Sequence, residues 1–504
     1  MSDRTLEPVF EAPGGDPRSD RLLLVSDQFP PAQSAGALRW QKLSRFAADR
    51  GWILDVITRD PALLDARDDS RLAELPAGTR VYGFVPQDLA LDRAEQWLSR
   101  AYRAVRRERS SECGEPAERS SGRVPAPRPT GGLSVAPEQI RWALTAPRFW
   151  IRSYWSWLDN RRQLTWARSI EALGRRILDS ALHRAVISCG PWHLCNHEAA
   201  RRLSRPARLP HIMDLRDPWS LERRIAETLA SPIYFALARH YESRAVHDAA
   251  LVVVNAEPVE RAMTVRYPSA ASRIVTVTNG YDDEPIPLSR HGGRFTIAYA
   301  GGIYLDRDPR PLFQAAAQTI EALSLTPDDF GIEFIGNVDD YGGVPIARMA
   351  EQEGISGYVK TGPLRPRREA LEMLAEATML LSLPQDSPWA IPSKIFEYMQ
   401  FDAWLLVLAE PDAPAALLLR ESVADVVSPG DVDGLATVLR RRIEQFARGE
   451  RPRRLAHETR FSRRAQAERL MDAIGRCLAP RPTPAPRSEE APVVERAMVG
   501  MRKP

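Results

Sequence analysis

The segment RLLLVSDQFPPAQSAGALRWQKLSRFAADRGWILDVIT, residues 21–58, contains the pattern that decides the fold. The apolar run at residues 21–26 indicates a buried strand, since strands of parallel sheets are covered on both faces. A loop rich in Pro, Ala and Gly follows, and then a helical pattern over residues 37–50 that Gly51 closes. Residues 52–58 form a second apolar run. A strand–helix–strand unit of this kind predicts a parallel sheet with helices on its faces.

The same alternation continues along the chain in two series. The first series ends at the turn signal Asn279-Gly280 and the second begins after it. We therefore predict an α/β protein of two doubly wound parallel-sheet domains that face a cleft. In such sheets, ligands bind beyond the carboxyl ends of the strands. The further candidate strands are residues 185–189, 211–215, 250–255, 274–278, 295–300, 332–335, 358–360, 379–383, 405–408 and 425–427.

The length of 504 residues fits this organisation, because it exceeds what one ordinary core accommodates. Polar stretches rich in Pro, Gly and Ser interrupt the pattern, and such composition is typical of disorder. The expected divisions are a disordered leader at 1–20, an N-terminal domain at 21–288 with a disordered insertion at about 106–140, a C-terminal domain at 289–455, a C-terminal helix at 456–478, and a disordered tail at 479–504.

Composition excludes several classes of protein. The net charge of +3 is too balanced for a protein whose main partner is nucleic acid. Four cysteines without a Cys-x-x-Cys pair argue against a structural zinc site, and their low number fits a reducing compartment. The first twenty residues lack the basic end and apolar run of a signal peptide. No apolar stretch reaches the roughly 18 residues that span a bilayer. We expect a cytoplasmic location.

Five tryptophans interleave with arginines at residues 141–169. One interpretation is an interfacial surface that meets anionic lipid or a lipid-linked acceptor, which would place the protein peripherally on the inner face of the plasma membrane. The alternative is a pair of helices that pack on the domain core with arginines turned outward.

The segment PSKIFEY at residues 392–398 combines three features suited to a nucleotide. Ser393 is placed to cap a helix whose free N–H groups attract an anion. Lys394 adds a cation suited to phosphate. Glu397, three residues on, can accept hydrogen bonds from both hydroxyls of a ribose. The alternative is a surface helix with an ordinary Lys–Glu pair.

A second segment, YAGGIYLDRDP at residues 299–309, directly follows a predicted strand. Gly301 and Gly302 allow a ligand to approach the backbone closely. Arg307 is able to contact a diphosphate through two hydrogen bonds. Neither a dinucleotide-binding glycine fingerprint nor a P-loop is present.

Two further segments lie in the first half of the chain. Residues 34–36, from Ser34 to Gly36, are small and precede the first helix. The strand HIMDL is followed by RDPWS, which places Asp214, Arg216 and Asp217 together. Buried charges need a partner or a function. A structural Asp–Arg pair is the alternative to a functional site here.

Taken in order, these segments resemble the GT-B glycosyltransferases of the family 4 retaining type, in particular a bacterial branch that assembles polysaccharides and glycans. The similarity extends over residues of about 20–478 apart from the insertion, and the ordered set is more specific than any single motif. The matching segments are VSDQFPPAQSAGALR at 25–39, ISCGPWHLCNHEAARRL at 187–203, MDLRDPWS at 213–220, VTNGYDDE at 277–284, AYAGGIYLDRDPRPL at 298–312 and PSKIFEYM at 392–399.

The resemblance implies two Rossmann-like domains, with the last helix returning to the N-terminal domain. It also implies a donor, such as a UDP- or GDP-sugar, that binds mainly to the C-terminal domain. Gly301, Gly302 and Arg307 would lie near the diphosphate, opposite Lys394 and Ser393, while Glu397 would hold the ribose. The base would lie between the Gly336 region and the segment from Gly362 to Leu364, and Ser34 to Gly36 would close on the phosphates.

By the same resemblance, the reaction transfers the sugar with retention to a glycan, lipid-linked or small-molecule acceptor. Arg307 and Lys394 would stabilise charge on the leaving diphosphate, and neither a metal nor another cofactor is expected. His197 and Asp217 are the candidates on the acceptor side. There are two departures from relatives. Trp389 occupies the position of the first of two glutamates, which leaves open how the donor sugar's hydroxyls are held and which sugar it is. Cys189 occupies the position of a histidine, which leaves the catalytic histidine open.

Two other functions remain open. The first is a sugar-nucleotide epimerase or a phosphorylase-like enzyme on the same fold. The second is a non-catalytic scaffold that binds a glycan or a partner protein, which the two departures favour.

Overall fold

A computed structural model of the chain describes residues 7–64, 66–87, 89, 147–190, 194–221, 231–282, 286–304, 307–384, 389–455 and 461–478. The predicted insertion at 106–140 and the predicted tail lie outside these residues.

The first half of the chain forms an eight-stranded sheet with helices on its faces. Its strand order is β1-β4-β3-β2-β5-β6-β7-β8, and all neighbours are parallel except β1 and β4. The elements in chain order are β1 (Phe10–Glu11), β2 (Asp20–Val25), α1 (Ala35–Asp49), β3 (Trp52–Arg59), β4 (Arg80–Phe84), α2 (Pro147–Ile177), β5 (His183–Gly190), α3 (Leu194–Ala207), β6 (His211–Leu215), α4 (Pro232–Asp248), β7 (Leu251–Val254), α5 (Glu257–Arg266) and β8 (Ile274–Thr276).

The second half forms a six-stranded, wholly parallel sheet in the order β13-β10-β9-β14-β15-β16, together with a separate antiparallel pair, β11 and β12. Its elements are β9 (Phe295–Ala300), α6 (Arg310–Leu323), β10 (Phe330–Ile335), β11 (Asp340–Tyr341), β12 (Val344–Pro345), α7 (Ile346–Gln352), β13 (Val359–Gly362), α8 (Arg367–Glu376), β14 (Met379–Ser382), α9 (Ser393–Tyr398), β15 (Trp404–Leu408), α10 (Pro414–Leu419), β16 (Asp425–Val427) and α11 (Val432–Ala447).

The prediction of two parallel-sheet α/β domains is confirmed. The reason is visible in β2, where Leu22, Leu23, Leu24 and Val25 have no exposed surface. A strand that is covered on both faces excludes polar residues, so it appears in the sequence as a continuous apolar run.

The last helix, α12 (Arg463–Cys477), packs against the first sheet rather than the second. The backbone N–H of Leu455 donates to the carbonyl of Met399, in the second half, at 2.9 Å. The carbonyl of Phe461 accepts the backbone N–H of Tyr281, in the first half. The chain therefore returns to the N-terminal domain within six residues. Ser462 caps the helix by accepting the N–H of Ala465, so regular helix begins at residue 463 and not at the predicted 456.

The start of the chain differs from the prediction of a disordered leader over residues 1–20. Phe10 and Glu11 pair antiparallel with Val81 and Arg80, and Ala12 is buried. The sequence pattern did not identify β4, the partner strand, because RVYGF is short and contains a glycine.

Residues 147–169 of the Trp/Arg-rich stretch belong to the single 31-residue helix α2 and do not form a pair of helices. Among the helices in the described part of the chain, none is long and apolar enough to cross a bilayer.

Candidate functional site

The order of strands marks one position in each sheet where a ligand is expected. In the second sheet the chain moves from β9 outward through β10 to β13, and then returns to the other side of β9 as β14. The loops after β9 and β14 therefore diverge and leave a crevice between them. Gly301 and Gly302 begin the first of these loops, and α9 follows the second. The two donor segments predicted from the sequence thus meet at one switch point.

Two glycines bring the ends of β9 and β10 into close contact. Gly301 has φ +148° and Gly336 has φ +122°, conformations that favour glycine. A methyl group on Gly336 would collide with the carbonyl oxygen of Gly301 and lie 2.9 Å from its carbonyl carbon. The Gly336 N–H donates to Gly362 at 3.1 Å, which joins the end of β13 to the same crevice.

Lys394 lies directly against this glycine turn. A methyl group on Gly301 would stand 2.5 Å from Nζ of Lys394, so the absence of a side chain leaves room for the ammonium group. Nζ also lies 3.9 Å from the centre of the Tyr299 ring, which is a favourable cation–π position. The Tyr299 hydroxyl donates to the Gly302 carbonyl at 2.6 Å. Tyr299 therefore positions both the cation and the glycine turn.

Arg307 contacts the same turn. Its Nη1 donates to the Gly302 carbonyl at 3.2 Å, and its guanidinium carbon lies 4.1 Å from the centre of the Tyr304 ring. A second cation is thus held beside the Gly301-Gly302 backbone, as the sequence predicted for a diphosphate site.

Helix α9 differs from its prediction at its first turn. It has only six residues, its first capping position is Pro392, and no side chain caps it. Ser393 is exposed and does not serve as the predicted cap. So short a helix has a weak dipole, which leaves Lys394 as the main source of positive charge at this end.

The same helix is fixed to β9 by a buried tyrosine. The Tyr398 hydroxyl accepts the N–H of Ala300 at 3.1 Å, and burial raises the pKa of Tyr398, which keeps it a neutral hydrogen-bonding group. Tyr398 therefore sets the distance between α9 and the strand that ends at the glycine turn.

Glu397 is half-buried and already has a partner. Its Oε1 lies 2.7 Å from Nη1 of Arg367, at the start of α8. Leu364, two residues beyond β13, is exposed to 62%.

The first sheet has its own switch point between β2 and β5. The loop that carries Ser34 and Gly36 follows β2, as the sequence indicated. Gly36 is buried, and a methyl group there would collide with Gln28 and Arg216 and lie 2.8 Å from the Gln28 Cδ. The Ser34 hydroxyl is enclosed and has no hydrogen bond to any described residue.

The charged residues at the end of β6 and just after it differ in how deeply they are buried. Asp214 is 1% exposed and accepts bonds from Arg39 at 2.8 and 3.1 Å and from the Trp40 indole at 2.8 Å. Burial alone would raise the pKa of Asp214, but the Arg39 guanidinium and these hydrogen bonds outweigh it and lower that pKa. Asp217, in contrast, is half-buried in the loop beyond β6.

His197 lies inside the N-terminal domain and not on the cleft surface, in contrast to the expectation of an acceptor-side role. Its ring is fully buried, with Nδ1 2.8 Å from the Ser188 hydroxyl, and its centre is 5.3 Å from that of the Trp219 ring. The helical spacing of the apolar residues in α3 indicates that His197 faces the domain interior, beside the buried residues Ala200 and Arg201. Cys189 is buried as well, and His193 lies outside the described residues.

Trp389 forms a contact between the domains that the sequence did not predict. Its indole N–H donates to the carbonyl of Leu221, in the loop after β6, at 2.9 Å. The segment that leads into α9 is thereby bonded directly to the N-terminal domain.

Three solved structures resemble the whole chain in fold. Sucrose-phosphate synthase from Thermosynechococcus elongatus aligns with a TM-score of 0.57 and 12% identity, over 91% of this chain and 98% of that one. HepE from Anabaena, in complex with UDP-glucose, aligns with a TM-score of 0.52 and 12% identity, over 90% and 99%. The lipopolysaccharide outer core galactosyltransferase WaaB aligns with a TM-score of 0.50 and 10% identity, over 91% and 100%.

These likenesses identify the fold as GT-B, with two parallel-sheet domains and a C-terminal helix that returns to the first. No family model matches the chain, and no curated protein matches it in sequence. At identities of 10–12%, the solved structures speak for the fold alone.

Proposed function

We propose that the protein is a glycosyltransferase that moves a sugar from a nucleotide-diphosphate sugar to a glycan, lipid-linked or small-molecule acceptor, with retention and without a metal ion. The observation that carries the proposal is the pair of cations at the switch point of the second sheet. Lys394 and Arg307 both lie against the Gly301-Gly302 turn, where a ligand is expected.

In this proposal the two cations stabilise the diphosphate as it leaves. Negative charge grows on the diphosphate while the sugar develops positive charge, so groups already aimed at the diphosphate lower the barrier. Tyr304 and Tyr299 stack against Arg307 and Lys394 and restrict their motion. Less reorganisation is then needed during the reaction.

The nucleoside would occupy the neighbouring edge of the same crevice. Glu397, whose carboxylate contacts Arg367, would accept ribose hydroxyls through its remaining lone-pair sites. Gly336, Gly362 and Leu364, which end or follow β10 and β13, would border the base.

The N-terminal domain would complete the site from across the cleft. Ser34 and Gly36 would approach the phosphates. Asp217, the acceptor-side candidate that is partly exposed, would face the acceptor. A structure of similar fold, HepE from Anabaena, was determined with UDP-glucose, which supports a nucleotide sugar as the donor.

The experiment measures thermal stabilisation by a panel of nucleoside diphosphates and their sugars, together with slow donor hydrolysis. The best ligand should lose about tenfold or more in affinity in Lys394→Ala and in Arg307→Ala, because each removes a charge-assisted phosphate contact worth about 1.5–3 kcal/mol. Arg348→Ala is the matched control, since Arg348 is an exposed cation on α7 of the same domain. Stabilisation by no nucleotide at all would refute an enzyme that uses such donors.

The same assay separates the remaining alternatives. An epimerase-like enzyme would convert the stabilising sugar nucleotide into an isomer without any acceptor. A scaffold would bind a glycan while leaving every sugar nucleotide intact. Hydrolysis or transfer that depends on Lys394 supports the transferase.

We further propose that the N-terminal half of α2 contacts an anionic membrane surface. Trp150, Ile151, Tyr154 and Trp157 are exposed at helical spacing, between 43% and 62% of their surface, and Arg161 lies over the Trp157 ring at 5.8 Å. Aromatic residues beside arginine are suited to the lipid headgroup region.

Co-sedimentation with anionic vesicles at low salt tests this contact. Double substitution Trp150→Ala and Trp157→Ala should abolish binding. Val423→Ala, which shortens an apolar side chain that is 72% exposed on the other domain, should not change it. If the parent protein, the double variant and Val423→Ala are recovered equally with the vesicles, the proposed membrane contact of α2 is refuted.

A further inference from the structure

A basic groove lies on the N-terminal domain between α4 and α5, apart from the donor crevice. It has a volume of about 760 Å³, which is enough for a phosphorylated sugar or a diphosphate headgroup. Leu221, Arg239, His240, Arg244, Arg266 and Tyr267 form most of its lining.

The groove carries a local excess of positive charge. Three guanidinium groups and an imidazole line it, and within the part of the chain that the structure describes none of the lining residues is acidic. Arg239 and Arg266 form no ion pair with a carboxylate among the described residues. Because the whole chain has a net charge of only +3, this concentration of cations on one concave surface is a local feature.

Arg244 has one acidic neighbour, but that neighbour is already balanced. Glu198 lies 3.7 Å from Arg244, while Arg201 and Arg202 donate to Glu198 at 2.8–3.0 Å. Two nearer cations therefore satisfy Glu198, and the charge of Arg244 remains available to a ligand.

The floor of the groove is held by a buried carboxylate. Glu242 has no exposed surface and accepts bonds from the Tyr267 hydroxyl at 2.7 Å, from the Ser220 N–H at 2.9 Å and from the Ser220 hydroxyl. These bonds occupy its oxygens. Burial raises the pKa of Glu242, and the charge of Arg266 partly offsets that effect. These bonds also fix the loop after β6 against α4.

That loop connects the groove to the donor half of the protein. Leu221 lines the groove, and its carbonyl accepts the indole N–H of Trp389, three residues before Pro392 and α9. A ligand in the groove would therefore lie beside the contact through which the two domains meet.

We propose that this groove binds the phosphate or diphosphate group of the acceptor. Guanidinium groups match phosphate oxygens by paired hydrogen bonds, and Leu221 and the exposed Val265 offer apolar surface to the attached sugar or lipid. The role as acceptor site rests on the proposed glycosyltransferase activity, whereas anion binding by the groove does not.

Inorganic pyrophosphate is the probe, and its binding is measured by calorimetry in the full-length protein. The double substitution Lys394→Ala and Arg307→Ala is used as the background, so that the donor crevice contributes little. Arg239→Ala and Arg266→Ala should each weaken pyrophosphate binding by about tenfold, and both effects should decrease with added salt.

Arg261→Ala is the matched control, since Arg261 is an exposed arginine of α5 that lies outside the groove and pairs with Glu257 at 4.0 Å. It should bind pyrophosphate as the background protein does. Binding that is unchanged in Arg239→Ala and Arg266→Ala, or that is absent from the background protein, would overturn the proposal.

Two further arms distinguish the source of the phosphate. Binding of a soluble sugar phosphate that requires Arg239 and Arg266 identifies a water-soluble acceptor. Retention on phosphatidylcholine vesicles containing a polyprenyl phosphate, with the same requirement, identifies a lipid-linked one. If neither requires the two arginines, the acceptor role is wrong even when pyrophosphate binds. If pyrophosphate binds in the groove but no nucleotide stabilises the protein, only the transferase function fails.

Discussion

Replacing Gly336 with alanine tests whether the donor crevice depends on the close contact between β9 and β10. The new methyl group would lie 2.9 Å from the Gly301 carbonyl carbon, whereas ordinary contacts begin at 3.4 Å. Gly301 would have to retreat by at least about 0.5 Å, and its carbonyl oxygen by more. Since backbone is less able to yield than a side chain, the glycine turn itself should shift.

The expected loss follows from that displacement. A 1 Å error in position costs about 100-fold in an enzyme site, so a shift of at least half that size should weaken nucleotide binding by about 10- to 100-fold. That corresponds to about 1.4–2.8 kcal/mol. The φ of +122° adds backbone strain of about 1–3 kcal/mol to the folded state.

Two control variants separate the collision from the strain. Gly342→Ala introduces strain alone, because Gly342 has φ +62° and open space around it. Gly293→Ala introduces neither, since it has open space and an ordinary φ. Calorimetric titration of each protein with the best-binding nucleoside diphosphate gives the dissociation constants, and circular dichroism confirms that each is folded. If Gly336→Ala binds nucleotide within threefold of the parent, the crevice does not hold the diphosphate against the Gly301 turn.

The remaining predictions concern the N-terminal domain and its contact with the second. Asp214→Ala should destabilise the N-terminal domain by about 3–5 kcal/mol in urea unfolding, because it leaves Arg39 buried without a partner; a loss below about 1 kcal/mol would contradict this. The pKa values of Asp214 and Asp55 are lowered in the folded state, so their contribution is present above the ordinary Asp pKa of about 3.9 and disappears as pH falls below it. Acid titration followed by fluorescence should therefore unfold the parent below pH of about 4, and a domain that stays folded to pH of about 2 would contradict it. Trp389→Phe removes one interdomain hydrogen bond, so hydrogen exchange near Leu221 should accelerate by up to about tenfold; unchanged exchange would show that the bond is dispensable.

The sequence revealed the strands well where burial on both faces left only apolar residues. β6 and β16 have the predicted bounds, and β2 differs by one residue at each end. It was least exact where a strand is short or exposed at an edge. β4 is short, contains glycine and was not predicted, whereas the largely exposed β13 was predicted at 358–360 and spans Val359–Gly362.

The pairing of distant charges could not be predicted from the sequence. Asp214 was placed with Arg216 because the two are neighbours, but its partner is Arg39, 175 residues away. Which arginine reaches a buried carboxylate depends on how the two helices and strands pack, and local spacing contains no information on that. The same holds for Trp389 and Leu221, which belong to different domains.

Glu397 shows how a correct motif can still leave the chemistry incomplete. Its spacing from Lys394 placed both residues on one short helix, as observed, but Arg367 lies 30 residues earlier and was assigned no role. A carboxylate has about four lone-pair sites on two oxygens, and the 2.7 Å contact with Nη1 of Arg367 occupies one of these sites. A ribose hydroxyl therefore need not displace the arginine, because it can bond to another site of a carboxylate whose orientation Arg367 fixes. Arg367 would then act as a positioning residue for Glu397. Its loss should weaken the binding of nucleosides that carry a ribose more than the binding of inorganic pyrophosphate.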